Sequence, residues 1–234
     1  MVIYNSFIEQ LKSLVGDLCV LDTTPSRLKE SGKNDIIFTR DTAFELGGSQ
    51  LPCVSTLAVS SNIKFSDRAY LVGKDLNKIK KDVPFGKIVF LEIEEPDGDD
   101  EAFKHIKELD QVKYKFYVQD FMVRASAFSM REQIRVGKNA IKEGYTFADL
   151  GNKLIEEYKK YPIVKSVDII FITEFDYFGE LNTIAQKIKD ATSALNHILD
   201  NVIFDCSACN LKEICDEVEG MKELHMKKTK SKQL

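Results

Sequence analysis

Apolar and polar positions along the chain switch between two periods, and the switches mark the expected elements. Phe7, Ile8, Leu11, Leu14 and Val15 recur at the spacing of one helix face, with Ser6 and Glu9 set as a capping box at its start. The runs 18–22 (LCVLD) and 35–39 (DIIFT) have the length and composition of short buried strands. Strand composition continues through AFELGGSQLPCVSTLAVS, broken at Gly47–Gly48 and Pro52. Next come a strand at 69–72, a short helix at 74–81 and a strong strand at 87–93 (KIVFLEI). An acidic loop (EEPDGDD), a helix at 101–109 and a strand at 113–118 (KYKFYV) follow, while 119–136 fits neither period. Phe147, Leu150, Leu154, Ile155 and Tyr158 line one face of a helix over 146–160, closed by Pro162. The segment KSVDIIFIT (165–173) predicts a mostly buried strand, and 178–199 a long helix.

Helices and strands are intermixed without a steady βαβ repeat, and no internal repeat is present. The expected fold is α+β, a mixed sheet packed with helices, followed by a small Cys-rich C-terminal segment. The chain divides on this reading into an N-terminal αβ unit (1–41), an α+β domain (42–200), a Cys-rich segment (201–225) and a basic tail (226–234). Gly47–Gly48 has neither dinucleotide nor P-loop spacing, and reads as a turn or bulge between strands.

Composition narrows the function classes. The 234 residues are 44% hydrophobic and 30% charged, enough apolar material for a core without disulfides. With 33 basic and 37 acidic residues the net charge is −4, which argues against nucleic acid as the main partner. No apolar run reaches the roughly 18–20 residues of a membrane span, and MVIYNSFIEQLKSL lacks the features of a secretory signal. A cytoplasmic, membrane-free protein is expected. Lys227, Lys228, Lys230 and Lys232 crowd the end of the chain and read as a solvated tail.

Five cysteines in this setting argue against a disulfide framework. Cys19 and Cys53 lie in apolar surroundings and are expected as small core residues. Cys206, Cys209 and Cys215 fall within ten positions, in C-x₂-C-x₅-C spacing, with His225 ten residues on. Thiolates on one tight turn suit zinc or an iron–sulfur cluster, and an imidazole completes a four-coordinate set for either. The plain alternative is a set of small apolar residues on an amphipathic segment, with His225 exposed.

The residues from about Asp41 to His225 resemble the beta subunit of the carbon monoxide dehydrogenase/acetyl-CoA synthase complex. FELGG (44–48), KYKFYVQDFMVRASAFSMREQIRV (113–136), YTFADLGNKLIEEYKKYPIVKSVDIIFIT (145–173) and the cysteine segment carry the likeness. The first forty residues have no counterpart in it. In that family four cysteines hold a 4Fe–4S cubane joined to two nickel sites. Cys206, Cys209 and Cys215 correspond to the first three cubane ligands, across a shorter loop, and His225 stands where the fourth cysteine lies. The resemblance thus implies a cluster held by three cysteines and a histidine, whose neutral imidazole would raise its potential. The family's distal nickel is held by a Cys-Gly-Cys segment that this sequence lacks. Its middle domain also sets basic and aromatic residues near CoA. Arg124, Arg131 and Arg135 correspond, with Met122 where an aromatic stands; the alternative is a solvated face.

The resemblance implies a homologue from an anaerobe's one-carbon metabolism, working beside other subunits of a CO dehydrogenase/corrinoid system. It would bind one metal centre in an electron-transfer, regulatory or assembly role, and would not synthesise acetyl-CoA alone. Whether it catalyses a reaction stays open. Two other readings are a CoA- or corrinoid-linked acyl- or methyl-transfer component completed by another subunit, and an interaction module clamped by zinc.

Overall fold

The two strongest apolar runs sit side by side at the centre of the molecule. The computed structural model describes residues 2–48, 50–95, 99–126, 129–199, 211–218 and 221. Its strands are β1 (Cys19–Val20), β2 (Thr42–Leu46), β3 (Cys53–Ser60), β4 (Arg68–Val72), β5 (Phe85–Ile93), β6 (Phe121–Ala125), β7 (Glu132–Gly137) and β8 (Val164–Ile172). Its helices are α1 (Asn5–Val15), α2 (Asp99–Asp110), α3 (Lys138–Lys142), α4 (Phe147–Lys159), α5 (Phe178–Leu199) and α6 (Lys212–Glu217). The larger sheet runs β1-β4-β8-β5-β3. β3 is parallel to β5 and β4 to β8, and the two pairs meet antiparallel at β5 and β8. The fold is therefore α+β with a mixed sheet, as the intermixed pattern predicts. Among the described residues no helix is long and apolar enough to cross a membrane.

Alternation along the strands sends successive side chains to opposite faces. One face meets α4, where Phe85, Phe147 and Phe171 stack with centroids 4.8–6.4 Å apart. Such ring pairs add about 0.5–1.5 kcal/mol each beyond the area they bury. Helix α4 starts at a capping box, Thr146 accepting from the Asp149 N–H while Asp149 accepts from the Thr146 N–H. The other face meets α1 and α5. There Ser60 of β3 donates to Asn5 at 2.8 Å, and Tyr4, just before α1, bonds Thr192 of α5 at 2.8 Å.

A second sheet, β2-β7-β6, is antiparallel throughout. Its inner face buries Phe44, Leu46, Phe121, Val123, Ile134 and Val136. Side chains cover both of its edges. The Asn34 amide donates to the Val123 carbonyl at 2.6 Å and accepts from the Val123 N–H at 3.0 Å, standing in for a neighbouring strand on β6. On β2, Asp82 accepts from the Glu45 N–H at 2.7 Å.

Several expectations are corrected. Helix α1 begins at Asn5, behind Tyr4, so Ser6 lies inside the helix and no side-chain cap forms. The run 18–22 yields only two paired residues, with Cys19 exposed rather than in the core. Residues 35–39 form no strand: Ile37 is buried while Ile36 and Phe38 face solvent. The helix expected at 74–81 is one 3₁₀ turn, Leu76–Lys78, and the strand at 113–118 is a 3₁₀ turn, Gln111–Tyr114, with a single bridge at Val118. The ambiguous stretch 119–136 supplies β6 and β7. Cys53 is buried as expected. Gly47 makes the expected turn after β2 at φ +64, where a Cβ would lie 2.5 Å from the Cys53 sulfur.

Candidate functional site

The thiol segment reaches the core through α6. Ile214, Val218 and Met221 are buried, and α6 packs on α5, where Lys187 and Glu217 pair at 2.6 Å. Cys215 is half-buried between these anchors, its N–H donating to the Leu211 carbonyl at 3.1 Å. Cys206, Cys209 and His225 lie outside the described residues, as does the lysine-rich tail. Among the described residues no three His, Cys, Asp or Glu side chains are grouped to hold a metal ion. His105 lies on α2 between Glu101 and Glu108, 3.7 and 3.6 Å away.

The three arginines gather on the second sheet. Glu45 and Arg135 face each other in register across β2 and β7, and Arg124 lies on β6 on the same outer face. Arg135 donates through Nε to Glu45 Oε1 at 2.7 Å, and Arg124 through Nη2 to Oε2 at 3.1 Å. Arg135 also donates to the Ile37 carbonyl at 2.8 Å. Arg131 binds the Gly47 and Leu51 carbonyls at 3.0 and 3.3 Å, and Gln133 shares the Gly47 carbonyl at 2.9 Å. An anionic ligand at Arg124 or Arg135 would therefore compete with the Glu45 carboxylate.

A third group is not foreseen from the pattern. Where β5 meets the second sheet, Lys87 forms a buried ion pair with Glu132. Ser55 donates to the other Glu132 oxygen at 3.0 Å, and Cys53 donates to the Glu132 carbonyl at 3.4 Å. Burial, ahead of the neighbouring charges, pushes the Cys53 thiol above its usual range and keeps it protonated. Burial and then the Glu132 charge hold the Tyr158 phenol well above its ordinary value. Enclosed in this way, the group ties two sheets together rather than presenting a reactive atom. Its sequence signal is Lys87, a cation at the head of the mostly apolar run KIVFLEI.

The geometry thus supplies a thiol anchored on α6, an arginine face on the second sheet and a sealed polar link between the sheets. The family model for the CO dehydrogenase/acetyl-CoA synthase complex beta subunit matches residues 31–177. This stretch is more than half of the chain; it begins at residue 31, so residues 31–40 do have a counterpart in the family, takes in the second sheet, β3–β5, β8 and α4, and stops before α5 and the cysteine segment. A search of curated proteins finds no match.

Proposed function

The chain belongs to the CO dehydrogenase/acetyl-CoA synthase complex beta-subunit family, and from that premise we propose that it carries one metal centre, an iron–sulfur cluster, on its C-terminal segment. Cys206, Cys209 and Cys215 would hold it, with His225 as fourth ligand. The observation that supports this reading is the placement of Cys215 on a short helix fastened to the core by Ile214, Val218 and Met221. One donor of the set thus has a fixed base. The donor chemistry fits, because thiolates with one imidazole are ligands that iron–sulfur clusters accept. A bound cluster would supply one-electron transfer.

The chain's own residues would set its environment. A neutral imidazole ligand would place the potential above that of an all-cysteine cluster. These 234 residues contain no Cys-Gly-Cys, so no nickel pair is assigned to them. An electron-transfer, regulatory or assembly role beside the other subunits of the complex follows.

Iron and acid-labile sulfide in protein purified without oxygen test the reading. About four irons per chain, lost in Cys209→Ala, is the expected result. One zinc and no iron would replace the cluster with a zinc clamp, and metal-free protein would remove the centre altogether.

A further inference from the structure

We propose that the outer face of the β2-β7-β6 sheet is a docking surface for an acidic segment of another protein. This inference is independent of the metal centre. The inner face of the sheet is consumed by the core, so the alternation of each strand turns Glu45, Met122, Arg124, Gln133 and Arg135 outward. Two guanidiniums, Arg124 and Arg135, hold the Glu45 carboxylate, and a third, Arg131, lies at the sheet's end on the Gly47 carbonyl. On a chain whose net charge is −4, this is a local excess of positive charge.

Apolar groups border it. Ile37 reaches the position a Gly137 Cβ would face, at 3.5 Å, so the segment 36–38 lies across one end of the sheet. Its neighbours Ile36 and Phe38 turn to solvent, 75% and 60% exposed, and the Arg40 guanidinium stacks over the Phe38 ring at 5.8 Å. Arginine, methionine and aromatic side chains are the groups enriched where proteins meet.

Glu45 shows the chemistry that the face accepts. Its carboxylate is gripped by Arg135 and Arg124, and the Arg124 side chain remains 42% exposed. A guanidinium carries five donors, more than one carboxylate oxygen can use. Charge complementarity therefore points to glutamate or aspartate side chains, set among aliphatic residues that cover Ile36 and Phe38. A sheet face bordered by protruding apolar groups suits a protein segment, whereas small-molecule cofactors such as CoA are held in concave sites. All of these residues fall within the stretch matched to a subunit of a multi-subunit complex.

The test uses a fluorescein-labelled peptide of repeating Glu-Glu-Leu and the full chain, followed by anisotropy at low salt. Binding is expected to weaken about tenfold in Arg124→Glu, as a charge-assisted contact becomes a repulsion. It should also weaken about threefold in Ile36→Ser/Phe38→Ser, whose exposed positions leave the fold intact. Absence of binding, or equal binding by the wild type and both variants, would overturn the proposal. So would CoA binding that is lost in Arg124→Glu and untouched in Ile36→Ser/Phe38→Ser, which would make the face a small-anion site.

Discussion

Lys87 and Glu132 lie 45 positions apart in sequence and form an ion pair whose side chains are only 4% and 3% exposed. The pair joins β5 of the larger sheet to β7 of the smaller one. Ser55 satisfies the second carboxylate oxygen, so the pair is hydrogen-bonded as well as neutralised.

Removing one partner should cost far more than removing both. Glu132→Leu strands a buried ammonium, and a loss of about 3–5 kcal/mol in unfolding free energy is expected. Lys87→Met/Glu132→Leu leaves no charge to solvate and should recover most of that loss. Urea unfolding of the wild type, the single variant and the double variant measures it. Equal losses in the single and double variants would show that packing, not charge, holds the junction.

Helix α4 approaches β4 so closely that only glycine fits at position 151. A Cβ there would lie 2.3 Å from the Ala69 Cβ and 3.2 Å from the Phe171 ring. Alanine in a helix interior normally gains up to about 1 kcal/mol over glycine. Here the contact is with an atom fixed to a central strand, so Gly151→Ala should destabilise by about 1–3 kcal/mol. Adding Ala69→Gly should restore stability, and thermal unfolding of both variants would reveal it. A Gly151→Ala protein that melts above the wild type would mean that helix and sheet can move apart.

What the sequence made legible follows from the range of the interactions involved. β5, β8, α4 and α5 were readable because burial imposes a long periodic or continuous apolar signal. The run DIIFT carries strand composition, yet Asn34 spends its amide on Val123 and Arg135 takes the Ile37 carbonyl, so this segment crosses the sheet instead of joining it. KNDIIF and KYKFYV are governed by partners dozens of residues away, which no local pattern records. The same holds for the site: C-x₂-C-x₅-C is a local signal, whereas Glu45 meeting Arg124 and Arg135 depends on strand register. Lys87 heads the apolar run KIVFLEI, and nothing local pairs it with Glu132, 45 positions on.

Glu30 should titrate far below an ordinary glutamate. The Lys153 ammonium foremost, with the Lys160 ammonium beside it, lowers its carboxyl from 4.5 to about 2. With the folded pKa depressed, its contribution to stability is complete above the unfolded value and is lost as pH falls from about 4.5 toward 2. A ¹³C-resolved titration of the Glu30 carboxyl should give a midpoint of about 2 in the wild type and a higher one in Lys153→Ala. A wild-type midpoint at 4.5 would remove the Glu30–Lys153 contact, 2.8 Å in this structure, from the solution state.

The anchor of the proposed metal centre is separable from its ligands. A helix as short as α6 is not stable by itself in water, so Ile214 and Val218 must hold it through burial against the core. Each contributes roughly 1.5–3 kcal/mol of that attachment. Ile214→Ser/Val218→Ser keeps every cysteine and His225, yet should release α6 and with it the fixed position of Cys215. Iron per chain is then expected to fall by more than half, while the unfolding midpoint of the sheets stays close to that of the wild type. Full iron content in this variant, beside an iron-loaded wild type, would mean that the ligands assemble without the helix. An iron-free wild type would instead reject the cluster, and leave the anchoring of α6 to be judged from its hydrogen exchange alone.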